Sequence, residues 1–537
     1  MTRTPGGPST GAAAGTPAHT TAAGLHPSAV EHEPAGAAGG AAGRAGIAKP
    51  GAVFDRDAAW DALVGFATDR GPGPRLGVVS GGLRQGKTHL LRALTDETGG
   101  FLFCADDAVE AESLRRLGDL LARRTGSVEA GRLRDWTEAV DALLALAGQE
   151  PVPVVLDEFP RLVRQSPSLP AVLHAAFRRH ADGPHGGAAP GRARLLLSGS
   201  DRPVMRRLFC GPSALRELVT LDVAVGPFGY REAARFWGLD DARLALRVHA
   251  VVGGTPAYRH AFVADRVPAG PDDFDAWVCG TVLDPRTPLF HEAPRLVHEA
   301  ADSGNRGLCH SVLAAVALGA GTPGGVADRV GAPLGEVSHA LALLRDWALL
   351  HGEPDVLRPP LTRLRIPEPL LAFEHAVVRP HRALLDGAPG RAEEVWAQAR
   401  PVFESTVAPA RFAEVCRAWV RDHAAPDTFG APAGRVGHGS LAGPGEPGAE
   451  VVVRGEGAGG RPGPLLSVGL ARWGEIVDVH HLERLHRLVG LLDERGEDVA
   501  RVVPALYGSA GFGPAVRTSE AQGNVVLVGP DRLYAGG

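Results

Sequence analysis

Between residues 76 and 225, short apolar runs alternate with longer stretches whose apolar side chains recur at helical spacing. The apolar runs have the length of strands and no polar alternation, which is typical of strands buried on both faces. Alternating strands and helices of this kind predict an α/β fold with a parallel sheet covered by helices. The five predicted strands cover residues 76–79, 101–104, 152–156, 194–198 and 219–225.

Regions of different character flank this predicted sheet. The N-terminal region is mostly Ala, Gly, Thr and Pro, and its few large apolar side chains cannot offset the entropy of ordering it, which predicts disorder. The predicted divisions are a disordered tail (1–50), the core (51–230), a helical lid (231–300), three helices with a wing (301–380), a linker (381–400) and a C-terminal α/β domain (401–537).

The turn after the first predicted strand fits the phosphate-binding pattern G-x-x-x-x-G-K-[ST]. Small residues let backbone N–H groups close around a phosphate, and the start of the next helix adds partial positive charge. Lys87 would reach the β- and γ-phosphates of a nucleotide, and the Thr88 hydroxyl would ligate Mg²⁺. The predicted binding residues are Gly81, Gly82, Leu83, Arg84, Gln85, Gly86, Lys87, Thr88 and His89.

Composition favours this interpretation over a glycine-rich turn that matches by chance. The chain has 56 Lys plus Arg, and only Lys49 and Lys87 among them are lysines. In a chain that uses arginine for nearly every cation, a lysine where the pattern demands one indicates function. The sequence therefore predicts a nucleotide site, with ATP and Mg²⁺ as the leading hypothesis.

Two acids, Asp157 and Glu158, follow the third predicted strand directly. In P-loop enzymes of this kind the first acid holds Mg²⁺ and the second acts as general base on the attacking water. A solvated Asp-Glu pair at a strand end is the alternative. Their position at the carboxyl end of a buried strand after the P-loop favours the catalytic interpretation.

The fourth predicted strand ends with a polar residue, Ser200, which is the predicted sensor of the γ-phosphate. A simple strand-end turn is the alternative. Arginine suits a γ-phosphate contact because its guanidinium is planar and always charged. In so arginine-rich a chain each one alone is more often a surface residue. The arginines that follow in this stretch are Arg202, Arg206, Arg207 and Arg216.

Total charge and cysteine usage limit the other classes of function. With 61 Asp plus Glu the net charge is −5 and the pI is near 6.5, so no global attraction to nucleic acid or anionic membrane is expected. The five cysteines form no C-x-x-C pair, which favours a reducing compartment. No apolar run approaches the roughly 18 residues of a membrane span, and no signal-peptide pattern begins the chain. A cytoplasmic protein is expected.

These landmarks together resemble the archaeal-type ATPase family, a branch of the STAND/AAA-like P-loop NTPases. The resemblance covers about residues 53–530 and implies a P-loop core, a helical lid, a winged helix and a C-terminal domain similar to PD-(D/E)xK nucleases. It also keeps Arg216 as a candidate finger or sensor, although Pro212-Ser213-Ala214-Leu215 replaces the residues that usually precede it. Besides the P-loop and the acid pair, the matching segments are Phe54-Asp55-Arg56-Asp57, Ser198-Gly199-Ser200 with Met205, Pro227-Phe228 and Gly253-Gly254-Thr255-Pro256-Ala257-Tyr258.

The C-terminal domain departs from the nuclease pattern at its metal ligands. Nucleases of that class need acidic side chains for Mg²⁺ and a lysine near the reacting phosphate. The resemblance places Ala413, Val452 and Leu470 at the acidic positions and Arg472 at the lysine position. Because none of the three can ligate a metal, a degenerate nuclease-like domain (DUF234-type) without nuclease activity is predicted.

The predicted winged helix offers little for DNA recognition. Residues 301–380 contain seven Arg and eight Asp plus Glu, and the presumed recognition helix carries Glu336 and Asp346. The wing has a modest basic edge of Arg358, Arg363 and Arg365. Weak DNA binding and a structural or protein-contact role therefore both stay open.

The leading hypothesis is a regulatory ATPase whose nucleotide occupancy repositions the lid and winged helix and changes contacts with a protein partner or a second copy of the chain. The alternative is a nucleotide-switched DNA-binding protein with little turnover.

Overall fold

The computed structural model describes residues 46–148, 150–181, 191–210, 213–300, 305–387, 390–441, 448–457 and 462–535. Most of the predicted disordered tail (1–50) lies outside the described residues, as does Pro212. At the start of the described chain, Lys49 Nζ donates to the Asp55 carbonyl at 2.6 Å and pairs with the Asp57 carboxylate at 2.7 Å.

The N-terminal core is an α/β sheet whose inner strands are mostly apolar and buried. Successive strand residues face opposite sides: Val78 belongs to the apolar cluster of Leu114 and Leu143 on one face, while Val79 belongs to that of Trp60 on the other. The inner strands lack polar alternation because both of their faces are covered, whereas the edge strand β5 exposes Thr220 and Asp222. In chain order the elements are α1 (Asp57–Ala67), β1 (Arg75–Ser80), α2 (Lys87–Thr98), β2 (Phe101–Cys104), α3 (Glu110–Thr125), α4 (Trp136–Ala145), β3 (Val152–Asp157), α5 (Phe159–Gln165), α6 (Leu169–Ala181), β4 (Ala193–Gly199), α7 (Arg202–Phe209) and β5 (Val219–Ala224).

The five strands pair in the order β2-β3-β4-β1-β5 and are all parallel. This confirms the predicted parallel sheet, and with the P-loop between β1 and α2 it is the P-loop NTPase fold. The carboxyl ends of β1, β3 and β4 meet at one edge, because neighbouring parallel strands point the same way. Strand β4 lies between the strand that precedes the P-loop and the strand that ends in Asp157.

A group of helices follows the core sheet, as predicted. Two adjacent glycines, Gly253 and Gly254, interrupt these helices, and we call them the glycine break. Both are required: Gly253 has φ 62°, and a Cβ on Gly254 would lie 1.9 Å from the Phe228 carbonyl oxygen. The backbone of Gly254 accepts a hydrogen bond from Phe228 N at 2.8 Å, which holds the break against the end of the core. The helices are α8 (Tyr230–Trp237), α9 (Ala242–Val252), α10 (Phe274–Gly280) and α11 (Pro288–Ala300).

Three helices and an antiparallel pair of short strands come next, in the element order predicted for 301–380. The apolar faces of the three helices meet around Val312, Val326 and Val337, all of which are fully buried. The elements are α12 (Arg306–Ala317), α13 (Pro323–Val330), α14 (Leu334–Asp346), β6 (His351–Pro354) and β7 (Thr362–Arg365).

Residues 381–400, predicted as a linker, contain one short helix and most of a longer one. The Trp396 ring packs against Phe274, Phe373 and Phe403 with centroids 5.6–6.3 Å apart, and Trp396 is 3% exposed. This aromatic contact buries the segment, and no local pattern in its polar, alanine-rich sequence signals such a tertiary contact. The helices in this part of the chain are α15 (Pro369–Phe373), α16 (Arg382–Gly387) and α17 (Ala392–Val402).

The C-terminal region is built on a second, mixed sheet of five strands in the order β12-β11-β10-β9-β8. Strands β8, β9 and β10 pair antiparallel, and β10, β11 and β12 pair parallel. The elements are α18 (Ala408–Asp422), β8 (Arg435–Ser440), β9 (Gly448–Arg454), β10 (Leu465–Arg472), α19 (Val479–Glu494), β11 (Val503–Gly508), α20 (Pro514–Ala521), β12 (Val526–Val528) and α21 (Pro530–Tyr534). Across the described parts of the chain, no helix has both the length and the apolar character needed to cross a membrane.

Candidate functional site

The loop between β1 and α2 has the conformation that a phosphate site needs. Gly86 has φ 88° directly before α2, and a Cβ on Gly81 would lie 2.1 Å from the Val225 carbonyl oxygen. Both positions therefore require glycine. Inside the loop, Gln85 Oε1 accepts a hydrogen bond from Gly82 N at 2.5 Å. The loop and the first turn of α2 present backbone N–H groups to one side, where an anion would be favoured.

Lys87 lies along this loop. Its Nζ donates to the carbonyls of Gly82 at 2.8 Å and Gly81 at 3.2 Å, and the residue is 4% exposed. Burial lowers the pKa of Lys87, while the charges of Glu158 and Asp157 act in the opposite direction. An ammonium in so buried a place is stabilised by an anion brought to the loop, because the nearby carbonyls are neutral partners.

Asp157 and Thr88 form the second part of the site. The Thr88 hydroxyl donates to Asp157 Oδ2 at 2.5 Å, and the fully buried Asp157 also accepts from Glu158 N at 3.0 Å. A hydroxyl and a carboxylate oxygen side by side are the hard ligands that Mg²⁺ prefers. These two residues therefore fit the predicted metal role.

Glu158 and Ser200 complete the constellation. The Ser200 hydroxyl lies 3.1 and 3.0 Å from the two carboxylate oxygens of Glu158. Burial raises the pKa of Glu158 and so does the charge of Asp157, whereas Lys87 and the Ser200 hydrogen bond lower it. Glu158 sits at φ 53°, ψ 38°, a left-handed backbone at the start of α5. A carboxylate with a raised pKa, held by one hydroxyl, is suited to accept a proton.

A cavity of about 560 Å³ extends from the loop toward the lid. The rings of Phe54, Phe228 and Phe236 contact one another in its wall, with centroids 5.1–5.4 Å apart. Pro256, just after the glycine break, lines the opposite side. An apolar, aromatic wall beside a phosphate loop matches a ligand with a flat ring and an anionic tail.

The predicted binding residues are brought together here. Leu83, Arg84, Gln85, Gly86, Lys87, Thr88 and His89 all line this cavity together with Glu158. Gly81 lines a neighbouring cavity of about 350 Å³, and Gly82 belongs to the hydrogen-bonded loop between them. His89 Nε2 lies 3.1 Å from the Ala52 carbonyl oxygen, which joins the start of α2 to the segment before α1.

Arg216, by contrast, is not part of this site. It is exposed and lies in a short turn (Arg216–Leu218) just before β5 begins. Because β5 is parallel to β1, the start of β5 and the end of β1 lie at opposite edges of the sheet. Among the arginines that follow β4, Arg202 and Arg206 line the smaller cavity with Ser80 and Gly81, and the charge of Arg202 lowers the pKa of Lys87 after the larger effect of burial.

Arg56 is a site residue that pattern reasoning did not single out. Its Nη2 donates to the Gly226 carbonyl and lies 3.4 Å from the Gln85 carbonyl oxygen, and its guanidinium stacks 4.5 Å from the Phe228 ring centroid. Asp55 and Arg56 both have positive φ, 54° and 68°. The segment Phe54-Asp55-Arg56-Asp57 was noticed only as part of the resemblance, and its strained backbone gives no signal in the sequence.

Comparison with known proteins finds similar solved structures only at low sequence identity. No protein-family model and no curated protein matches this chain. Similar solved structures include ORC2 of Aeropyrum pernix in ADPNP–ADP complexes, with 18% identity, TM-score 0.41, and coverage of 62% of this chain and 95% of that one. ORC1 of Aeropyrum pernix in complex with DNA has 16% identity, TM-score 0.29 and coverage of 63% and 96%. Cdc6p of Pyrobaculum aerophilum has 14% identity, TM-score 0.27 and coverage of 63% and 97%. The functional conclusion therefore depends on the residues of this site.

Proposed function

We propose that this protein binds ATP with Mg²⁺ and hydrolyses it, and that nucleotide occupancy controls how the helical lid (230–300) and the winged helix (306–365) sit against the P-loop core. One observation carries the proposal. Lys87, the Thr88–Asp157 pair and the Glu158–Ser200 pair converge at the carboxyl edge of the parallel sheet. Three separate parts of the chain supply the phosphate ligand, the metal ligands and the base.

Each residue has a distinct role in the proposed reaction. Lys87 exchanges its loop carbonyls for phosphate oxygens when ATP binds, and the loop N–H groups hold the remaining phosphate charge. Thr88 and Asp157 would hold Mg²⁺, which supplies charge neutralisation to the phosphates. Glu158 takes the proton of the attacking water, and Ser200 orients the carboxylate that receives it.

The lid is linked to the phosphate loop by an ion pair. Arg84 Nε lies 3.1 Å from Glu292 Oε1 of α11, and the Arg84 guanidinium also stacks on Phe262 at 5.4 Å. Glu292 is 2% exposed, and burial raises its pKa against the opposing effect of Arg84. Losing Arg84 would leave this carboxylate buried without its partner, so a loop that moves to hold phosphate shifts α11 as well. This contact is the basis for proposing that nucleotide state is transmitted to the lid.

Contacts between the wing and the C-terminal region bear on the alternative, in which the wing binds DNA. Arg365 Nη1 pairs with Glu414 of α18 at 3.2 Å, and both Arg363 and Arg365 line a cavity between the wing and the C-terminal region. Arg365 is therefore engaged by the C-terminal region, whereas Arg363 stays exposed, so the free basic edge of the wing is smaller than its three arginines suggest. We favour a protein partner or a second copy of the chain over DNA as the recipient of the nucleotide signal.

Ser200→Ala is expected to move the acid limb of the pH profile of kcat/KM for ATP to higher pH. The hydrogen bond from Ser200 favours the ionised form of Glu158, so its loss raises the pKa of a carboxylate that must be ionised to act as a base. Ser198→Ala is the matched control, because Ser198 lies on the same strand and its buried hydroxyl has no hydrogen-bond partner among the described residues. An acid limb that stays in place in Ser200→Ala would contradict the assigned role.

Glu292→Gln is expected to separate hydrolysis from the lid response. Hydrogen–deuterium exchange of the full-length wild type should show ATP-dependent protection in α11 and at 258–262, and this protection should be lost in the variant while ATP turnover falls by at most severalfold. Glu299→Gln on the exposed face of α11 is the control.

Turnover is measured with and without duplex DNA, which tests the alternative of DNA binding. If the wild type neither binds nor hydrolyses ATP, the proposed ATPase activity is wrong. If Glu292→Gln shows the same ATP-dependent protection as the wild type, the proposed link between the phosphate loop and the lid is wrong.

A further inference from the structure

A second cavity, far along the chain from the P-loop, has an unusual lining. It has a volume of about 480 Å³ and lies where the wing, α18 and the edge of the second sheet meet. We call it the arginine cavity. Its charged lining consists of Arg363, Arg365, Arg411, Arg417 and Arg472 together with Glu353, Glu414 and Glu450.

The carboxylates hold the guanidinium groups in place without neutralising them all. Arg472 pairs with Glu450 at 3.1 Å, Arg417 with Glu353 at 3.3 Å, and Glu414 accepts from both Arg365 at 3.2 Å and Arg411 at 2.5 Å. Guanidinium groups outnumber carboxylates by two in the lining. The cavity therefore has an excess of positive charge, and carboxylates hold four of its five guanidinium groups, all but that of the exposed Arg363.

Some polar atoms around this cavity have no hydrogen-bond partner. Arg472 Nη2, Arg365 Nε and His438 Nδ1 are buried and have none among the described residues. The two guanidinium nitrogens are donors, whereas the role of His438 Nδ1 depends on the tautomer of its ring. Arg365 Nε and His438 Nδ1 lie 3.7 and 3.9 Å from the Glu353 carboxylate, beyond hydrogen-bond distance. A buried N–H group without an acceptor is costly, so these guanidinium groups would stabilise an acceptor that enters the cavity.

The chemistry of the lining excludes a metal and favours an oxyanion. Arginine cannot ligate a cation, and the described residues contain no cluster of three or more His, Cys, Asp or Glu able to hold one. Ala413 and Ala471 also line the cavity, and their small side chains leave room beside the guanidinium groups. Planar guanidinium forks match the tetrahedral oxygens of phosphate in geometry and charge.

We infer that the arginine cavity binds a phosphate group, separately from the P-loop site. The volume lies in the range of small-molecule sites, which would suit a phosphorylated compound the size of one nucleotide. A phosphate held there would contact the wing through Arg365 and the second sheet through Arg472, and would bridge the two. Two of the positions from which the resemblance implies a lost nuclease metal site, Ala413 and Arg472, line this cavity and would thus serve to bind phosphate without cleaving it. The inference does not depend on ATP hydrolysis at the P-loop.

The test uses the full-length chain carrying Lys87→Met, which is expected to weaken phosphate binding at the P-loop by about 10²-fold, at probe concentrations too low to fill that weakened site. Calorimetric titration at low ionic strength measures affinity for three probes: pyrophosphate, ATP and a short DNA duplex. Pyrophosphate is expected to bind, and Arg472→Gln is expected to weaken it by about tenfold or more. Competition by ATP would identify a small molecule as the source of the phosphate, and competition by the duplex would identify the DNA backbone.

Two further variants keep the test decisive. Arg365→Gln, on the partly exposed wing, should weaken pyrophosphate binding to a similar degree and decides the matter if Arg472→Gln fails to fold. Arg487→Gln, on the exposed face of α19, should leave the affinity unchanged. The inference is overturned if none of the probes binds, if both cavity variants bind like the parent, or if Arg487→Gln weakens binding as much as they do.

Discussion

Glu158→Gln is expected to lower the rate of ATP hydrolysis by about 10²-fold or more while leaving ATP affinity near that of the wild type. Glutamine has the same shape as glutamate, and its amide oxygen can still accept the hydrogen bond from Ser200. It cannot take a proton from water, so only the chemical step is affected. The variant removes a negative charge, which repels phosphate, so the phosphate loop loses no group that attracts ATP.

Single-turnover hydrolysis and equilibrium binding of ATP, measured on the same preparation, separate the two effects. Glu129→Gln provides a control, since Glu129 is an exposed carboxylate of the same core domain. Unchanged hydrolysis in Glu158→Gln would show that another group positions or activates the water. Loss of ATP binding together with hydrolysis would indicate that Glu158 supports the shape of the site and is not its base.

The contiguous part of the site could be predicted from sequence because the chemistry itself imposes local spacing. The loop from Gly81 to Thr88 must be continuous for its N–H groups to surround one phosphate, and Asp157 and Glu158 must follow a strand directly to reach the same sheet edge. The parallel sheet could be predicted for a related reason. A strand buried on both faces must be mostly apolar, as β1, β3 and β4 are, while the edge strand β5 carries exposed Thr220 and Asp222.

The remaining site residues depend on tertiary packing. Arg56 reaches the loop residue Gln85 across 29 positions, and Arg84 reaches Glu292 across 208. Neither contact leaves a periodic or motif-like trace. The choice among the arginines after β4 likewise depends on strand direction, which places Arg202 beside the loop and Arg216 at the opposite edge.

In the C-terminal region, the structure gives a physical meaning to the departures from the nuclease metal-binding pattern. Glu450, the acid that remains near the predicted metal positions, pairs with Arg472 and also accepts from Ala471 N at 3.2 Å. Its oxygens are thus committed to neighbours on β10. The absence of nuclease activity stays a prediction, and the ion pair gives a physical reason for it: an arginine occupies the place where a cation would have to approach.

Lys87→Met is expected to weaken ATP binding by about 10²-fold, because the ammonium makes charge-assisted hydrogen bonds to phosphate that methionine cannot replace. In the wild type, ATP at about 100 times Kd should stabilise the fold by about 2.7 kcal/mol, and the weaker binding should leave only about 0.4 kcal/mol. Without ATP the variant should be at least as stable as the wild type, since burial already disfavours the charged form and lowers the pKa of Lys87.

Thermal unfolding with and without ATP and Mg²⁺ measures both quantities in one experiment. The chain supplies its own control, because Lys49 is its only other lysine and pairs with the exposed carboxylate of Asp57. Lys49→Met should keep the full ATP-dependent stabilisation, since a surface ion pair contributes little. An ATP-dependent stabilisation of wild-type size in Lys87→Met would mean that the nucleotide binds elsewhere. The arginine cavity would then be the first place to look, because guanidinium groups outnumber carboxylates by two in its lining.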